Sequence, residues 1–265
     1  MQRKVLLRRP MKRVNYAIIA IFAFALVLGL WTFASQSGAV NSTFLPSPTE
    51  VVSKFFAGIN DGSLGENTGI SIYRITMGFL LATVFGVPIG ILCSCFRTMS
   101  ALCAPLCQFI RYMPVPAFVP LLMVWMGIGE FSKIMIVFIG TFFQMVLMII
   151  DDANSVSDDL LAAGYTLGAS NTVTVFKVLI PATAPKMMQT LRMMIGWAWT
   201  YLVVAELVAA NTGLGYSILK AQRFLKTDAI FMGILVIGLL GLITDCLFNV
   251  LIKKLFPWEE GGKNG

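Results

Sequence analysis

The sequence predicts an all-α polytopic membrane protein with about six transmembrane helices, and three observations carry that expectation. The 265-residue chain is 57% hydrophobic and 12% charged with a mean hydropathy of +0.82, more apolar surface than one soluble core can bury. Its apolar residues fall in runs close to the ~20 residues that cross a hydrocarbon core. Its basic residues gather at the ends of those runs: Arg3, Lys4, Arg8, Arg9, Lys12 and Arg13 precede the first of them. Such a cluster faces anionic membrane lipid, so the net charge of +7 is no sign of nucleic-acid binding.

Residues 1–14 read as a basic cytoplasmic N-terminus and 15–35 as the first transmembrane helix. The run 16–34 is apolar throughout and longer than a signal-peptide core, which makes it an uncleaved anchor. Residues 36–74 form an outer segment in which Pro46 and Pro48 enforce extended backbone and Ser47 or Thr49 can start a helix. Residues 75–252 are expected to hold a five-helix core with spans at 75–95, 101–126, 134–150, 187–210 and 229–252, and 253–265 a cytoplasmic tail. With the N-terminus inside, the loop 151–186 and the C-terminus also fall inside. Arg97, Lys177, Lys186, Arg192, Lys253, Lys254 and Lys263 join the N-terminal cluster there. They outweigh Lys54, Arg74, Lys133, Lys220, Arg223 and Lys226 outside, the bias that cytoplasmic loops carry.

The loop contains a polar island at 158–181, DDLLAAGYTLGASNTVTVFKVLIP. Ser157 is a suitable N-cap, Asp158 and Asp159 suit a first turn, and Leu160, Gly164 and Leu167 share one face of a helix that should stop at Gly168. A second short helix, capped by Asn171 with Phe176, Leu179 and Ile180 on one face, should end soon after Pro181. Helix, glycine turn, helix and proline make a rigid knob able to pass force to a soluble partner.

Enzyme chemistry has few residues to work with. There is no histidine, which removes the commonest general base and a common metal ligand. Cys93, Cys95, Cys103, Cys107 and Cys246 sit in or beside apolar runs without zinc-site spacing and read as small hydrophobes. The Gly262-Lys263 pair is followed by Asn264, and Pro257 stands where a phosphate-binding loop needs its upstream glycine. Neither a catalytic residue nor a metal set is therefore expected, and ATP hydrolysis is not assigned to this chain.

Charge inside the spans is the remaining signal, because a charged group at the bilayer centre costs on the order of 3 kcal/mol unless it faces protein or water. Arg111 falls near mid-depth, followed by Pro114, Pro116 and Pro120, which should kink the helix so that its freed carbonyls face protein or a cavity. Two readings stay open: Arg111 lines a pathway that favours an anion, or it pairs with an acidic residue. Glu206 is the acidic candidate if a span is tilted or broken, and otherwise belongs at an outer gate or in a structural role. Trp197, Trp199 and Tyr201 either stack on a solute or fill the bundle, with Trp199 the aromatic candidate for the pathway. The loop 211–228, carrying Lys220, Arg223 and Lys226, is a docking candidate for an external protein.

The knob resembles the loop signature of permease subunits of ATP-binding-cassette (ABC) importers, E-A-A, three residues, G, nine residues, I-x-L-P. Aligned on Gly168 and Pro181, the matching positions are Ala162, Ala163, Gly164, Gly168, Val178, Ile180 and Pro181, with Ala162 in place of the acidic residue. Four further patches resemble the nitrate, sulfonate (taurine-type) and bicarbonate group of those permeases. They are Leu45-Pro46-Ser47-Pro48, Ser71 through Arg74 to Phe79, Arg111-Tyr112-Met113-Pro114 through Gly129, and Ala205-Glu206-Leu207 through Tyr216. The resemblance runs from Leu45 to about Leu251.

It implies a type I ABC importer permease-like fold and a transport subunit of the cell inner membrane, working as a homodimer with a second permease copy. It further implies a pair of cytoplasmic ATPase subunits that hold ATP and Mg, and an external or periplasmic solute-binding protein that delivers a small anionic solute. Leu160, Leu161, Gly168, Ala169, Phe176 and Lys177 would form the knob face toward the ATPase, and no cofactor is expected in this chain. The alternative, a secondary transporter driven by an ion gradient, calls for repeated halves and mid-membrane carboxylates, neither of which is visible.

Overall fold

The computed structural model describes residues 13–38 and 40–258. Arg3, Lys4, Arg8, Arg9 and Lys12 of the basic N-terminus, and Gly262, Lys263 and Asn264 of the tail, lie outside the described residues. Five helical segments are long and apolar enough to cross a membrane, and a sixth crossing results if two helices bent by 102° count as one.

Helix α1 (Arg13–Gln36) meets the rest of the chain mainly near its C-terminal end, where Trp31 stacks on Phe231 at 5.5 Å and donates to the Pro46 carbonyl at 2.9 Å. Helix α2 (Pro48–Asn60) starts as its sequence dictates. Ser47 accepts from the Glu50 amide at 3.3 Å while Glu50 accepts from the Ser47 amide at 2.7 Å, a reciprocal cap with Pro48 just inside. Asp61 then accepts from the hydroxyl and amide of Ser63, which hold its carboxyl below the usual range and start α3 (Ser63–Cys95). Helix α3 thus begins well before residue 75, and Arg74, expected outside, lies within the bundle.

The expected span 101–126 is not one helix. It divides into α4 (Arg97–Arg111) and α5 (Val115–Met126), with the 102° bend across Tyr112–Pro114. The residue before a proline is pushed out of the helical region and the proline has no N–H to offer, so Met113-Pro114 ends one helix and Pro114 caps the next in extended backbone.

Helix α6 (Glu130–Asn154) packs along α3 through small residues. Gly78 and Gly90 face it, and a Cβ at Gly78 would stand 2.7 Å from Val137 Cβ, one at Gly90 2.6 Å from Ile149 Cγ2. After α7 (Asp158–Thr166) and α8 (Asn171–Thr174) comes a π-helical turn (Val175–Leu179) that runs without interruption into α9 (Ile180–Ala209). Pro181 therefore does not end a short helix as expected. The chain widens by one residue per turn just ahead of it, where its ring and missing N–H disturb the ladder, and the helix continues. Helices α10 (Leu214–Arg223) and α11 (Thr227–Leu255) close the bundle against α9. The chain crosses between two ends: the knob end, with residues 155–179, and the far end, with 127–129 and 210–213.

Replacing Gly90 with valine is expected to overpack the α3–α6 contact and to cost about 1–3 kcal/mol. Gly196→Val, whose Cβ meets nothing within 4 Å, serves as the control. Thermal unfolding in detergent should separate the two.

Candidate functional site

Three groups of residues stand out along the bundle. At the knob end, α7 closes with Gly168 at φ +83, the Ala169 amide bonding back to the Gly164 carbonyl at 3.1 Å and the Gly168 amide to Tyr165 at 2.9 Å. Ser157 makes no side-chain cap, and Ser170 rather than Asn171 caps the following turn, its hydroxyl accepting from the Val173 amide. Gly164 is buried where α7 crosses the π turn, since a Cβ there would touch Val178 at 3.4 Å. Of the residues expected on the knob, Leu160, Ala162, Ala163, Gly168, Phe176, Lys177 and Pro181 are exposed, and Leu161 and Ala169 are half-buried. Leu167, 89% exposed, is the most prominent apolar side chain of the knob and was not among the residues expected on its face.

Beside the knob, α9 is tied to the end of α6 by Lys186 donating to the Ser155 hydroxyl and Thr190 donating to Asp152, both at 2.6 Å. Beneath the knob lies a cavity of about 430 Å³ between Phe96, Asn154, Tyr165 and Thr174.

Midway along the bundle, Arg111 ends α4 at the bend. It donates to Gln144 of α6 at 3.3 Å and to the Tyr112 hydroxyl at 3.0 Å, with its guanidinium 4.8 Å from the Tyr112 ring centre. A small cavity of about 40 Å³ opens there, walled by Met113, Phe143, Gln144, Trp197 and Tyr201. Irregular backbone at membrane depth is tolerated where it lines a cavity or is buried in protein, and Tyr112, Pro114 and Arg111 are exposed. Trp199 points elsewhere: it is buried, and its indole N–H donates to Thr244 of α11 at 3.2 Å. Trp197, two residues earlier on the helix, is the tryptophan beside Arg111.

The Arg111–Glu206 pair does not form, because Glu206 belongs to a cluster near the far end. There Arg74, fully buried, donates to Glu206 Oε1 at 2.8 Å, to both oxygens of Glu130 at 2.6 and 2.9 Å, and to the Thr212 carbonyl at 2.7 Å. Lys133 reaches Glu130 at 2.9 Å, so two cations meet two carboxylates. Glu206 also accepts from Ser71 at 2.7 Å and from the Gly215 amide at 2.8 Å. Gly213, at φ +117, has no room for a side chain, since a Cβ would sit 2.5 Å from the Glu206 carboxyl carbon. Arg74 and Glu130 were missed as site residues. The signal was present in Ser71-x-x-Arg74, two polar residues on one face of an apolar stretch. Asp245 pairs with Arg192 at 2.6 Å between α11 and α9.

Among the described residues, no cluster of histidine, cysteine, aspartate or glutamate could hold a metal ion, and the five cysteines are free thiols. Residues 86–257 match the family described as the binding-protein-dependent transport system inner membrane component. The chain belongs to that family. It is an ABC importer permease subunit, a transport component of the inner membrane. It is 39% identical over 225 residues to an ABC transporter permease of Methanocaldococcus jannaschii, covering 83% of this chain and 84% of that one.

The taurine transport permease TauC of Escherichia coli is 30% identical over 97% of this chain and 94% of its own. The aliphatic sulfonates transport permease SsuC of Bacillus subtilis is 33% identical over 89% and 86%. In fold, the permease resembles a chain of the MetNI methionine ABC transporter captured in inward-facing conformations. The TM-score is 0.64 at 17% identity, over 71% of this chain and 94% of that one.

Removing one member of a buried ion pair leaves its partner unpaired, so Arg74→Ala, which strands the fully buried Glu206, is expected to cost about 3–5 kcal/mol. Arg192→Ala breaks a pair that is 28% and 43% exposed and should cost about 0–1 kcal/mol. Unfolding midpoints of the two variants in one detergent provide the comparison.

Proposed function

We propose that this permease carries a small anionic solute past Arg111 and is driven by a separate ATPase acting on residues 158–181. The observation that supports the pathway is the broken span: a cation without a carboxylate partner among the described residues stands at a mid-bundle bend. An arginine at that depth is stabilised by water or by a passing anion. The relatives named for taurine and aliphatic sulfonates fit an anionic cargo of that class.

In this reading a homodimer of permeases encloses one pathway, both chain termini and the knob face the cytoplasm, and an external binding protein delivers the solute at the far end. ATP and Mg reside on the ATPase pair. Closure of that pair pushes the faces formed by Leu160, Leu167, Phe176 and Lys177, and the spans rock between inward- and outward-facing states. The pull-down of the chain from its native membrane in mild detergent, followed by mass spectrometry and an ATPase assay, tests the assembly. A copurifying ATPase stimulated by an anion with its binding protein is expected, and a chain that emerges alone and inert would overturn the reading.

Two variants test the parts. Arg111→Ala should leave assembly intact and lower uptake; unchanged uptake would remove Arg111 from the pathway. Gly168→Val forces a β-branched residue into left-handed backbone at a cost of roughly 1–2 kcal/mol. It should keep basal ATP hydrolysis while transport falls about tenfold, the factor that ~1.4 kcal/mol represents. Transport that stays fully coupled to hydrolysis would show that the turn does not carry the force.

A further inference from the structure

We propose that the permease holds one phospholipid with a primary-ammonium head group at the knob end of the bundle, its head beneath α7 and an acyl chain along α3. The residues involved lie away from Arg111, and the lipid site does not depend on the solute pathway.

Two cavities meet there. The one beneath the knob, of about 430 Å³, has Ser94, Asn154, Asp158, Tyr165, Asn171 and Thr174 around it. The other, of about 420 Å³, is a groove between α3 and α9 lined by Val87, Ile91, Leu92, Ile180 and Met187. Cys95, Phe96, Asn171 and Val175 border both, so one molecule can occupy the two together. A polar pocket continuous with an apolar groove has the shape of an amphiphile.

The groove lies at the level where a bilayer meets water. Helix α3 has 33 residues and is about 50 Å long, more than the ~30 Å hydrocarbon core, and Val87 to Cys95 form its last turns just ahead of Arg97. Aliphatic side chains at that level are better covered by a hydrocarbon chain than by water, and the bilayer supplies such chains alongside.

Charge selects the head group. Asp158 is the one charged residue that borders either cavity, and it has no ion-pair partner among the described residues. A head that carries only a phosphate would meet a carboxylate with no lysine or arginine on the walls to offset the repulsion. An ammonium reverses the sign, and a primary one also donates N–H bonds, which a quaternary one cannot. Phe96 and Tyr165 present ring surface beside it that suits a cation.

Thr174 supplies a second polar contact. It is buried on the wall of the polar cavity, and its hydroxyl is the buried side-chain group left without a hydrogen-bond partner among the described residues. An unsatisfied group of that kind is destabilising and uncommon. The phosphate or ester oxygens of a phospholipid, between its ammonium and its chains, are the acceptors such a hydroxyl calls for.

The test is native mass spectrometry of the full-length chain in mild detergent, offered phosphatidylethanolamine, phosphatidylcholine and phosphatidylglycerol with identical acyl chains. Phosphatidylethanolamine should be retained roughly tenfold more tightly than either of the others. Asp158→Asn should remove that preference, and Asp158→Lys should turn it toward phosphatidylglycerol. Leu92→Trp, which fills the groove, should lower retention of every lipid, whereas Leu102→Trp, on an exposed face of α4 that borders neither cavity, should not. Thr174→Val should weaken retention of phosphatidylethanolamine while the unfolding midpoint of the lipid-free chain stays the same or rises, because an unsatisfied hydroxyl is removed. Equal retention of the three lipids, or a preference that survives Asp158→Asn, would overturn the head-group selection. Retention unaffected by Leu92→Trp would overturn the site itself, and a lowered midpoint in Thr174→Val would remove that residue from it.

Discussion

A guanidinium with no access to water holds the far end of this bundle together. Arg74 cannot leave its site without stranding Glu206, and Glu206 cannot leave without freeing the Gly215 amide and the Ser71 hydroxyl. The loop between α9 and α10 is thereby drawn down onto α3, with the Gly213 amide on Asn67 and the Leu214 amide on Ser71. Burying charge is costly, and it holds here because every partner is in place. Glu130 is the one partly exposed member of the group, and it is contributed by α6. The cluster thus joins three spans through a single side chain and leaves one of those joints at the surface.

The middle of the bundle depends on the opposite condition. At Arg111 the charge is left uncompensated, and the backbone beside it is broken by Met113-Pro114 rather than kept helical. Tight packing on either side makes this possible. Val115, Val119 and Leu122 of α5 seat against Ile136 and Ala205, while Cys107 of α4 seats against Val146 and Ile150. The two halves are anchored independently, so the bend between them stays open to the space that Trp197 and Tyr201 also face.

Local chemistry made much of this legible in advance. The apolar runs marked the crossings, Ser47 was one of two candidate starts for α2, and Gly168 marked the turn of the knob. Longer-range facts were harder to see. Arg74 was read as an outer basic residue because hydropathy alone starts the second span at Ile75, and nothing local reveals that two carboxylates from distant helices, Glu130 and Glu206, neutralise it. The proline cluster after Arg111 signalled a kink, but a kink and a 102° break have the same composition. Pro181 misled in the other direction, since the widened turn that accommodates it depends on α7 and α9 packing around it. Trp199 was preferred to Trp197 for the pathway, and the position of α11, which covers Trp199, could not be read from spacing.

Helix α9 links these regions in one rigid piece. At 30 residues it is about 45 Å long by the 1.5 Å rise of each residue, with Pro181 of the knob at one end, Glu206 near the other and Trp197 roughly halfway. A tilt of about 5° around that midpoint would carry the two ends some 2 Å in opposite directions while hardly moving the tryptophan. The helix has the proportions of a balanced beam: in the proposed cycle, a push at the knob would reach the charged cluster as an equal and contrary displacement, with the cavity at the fulcrum.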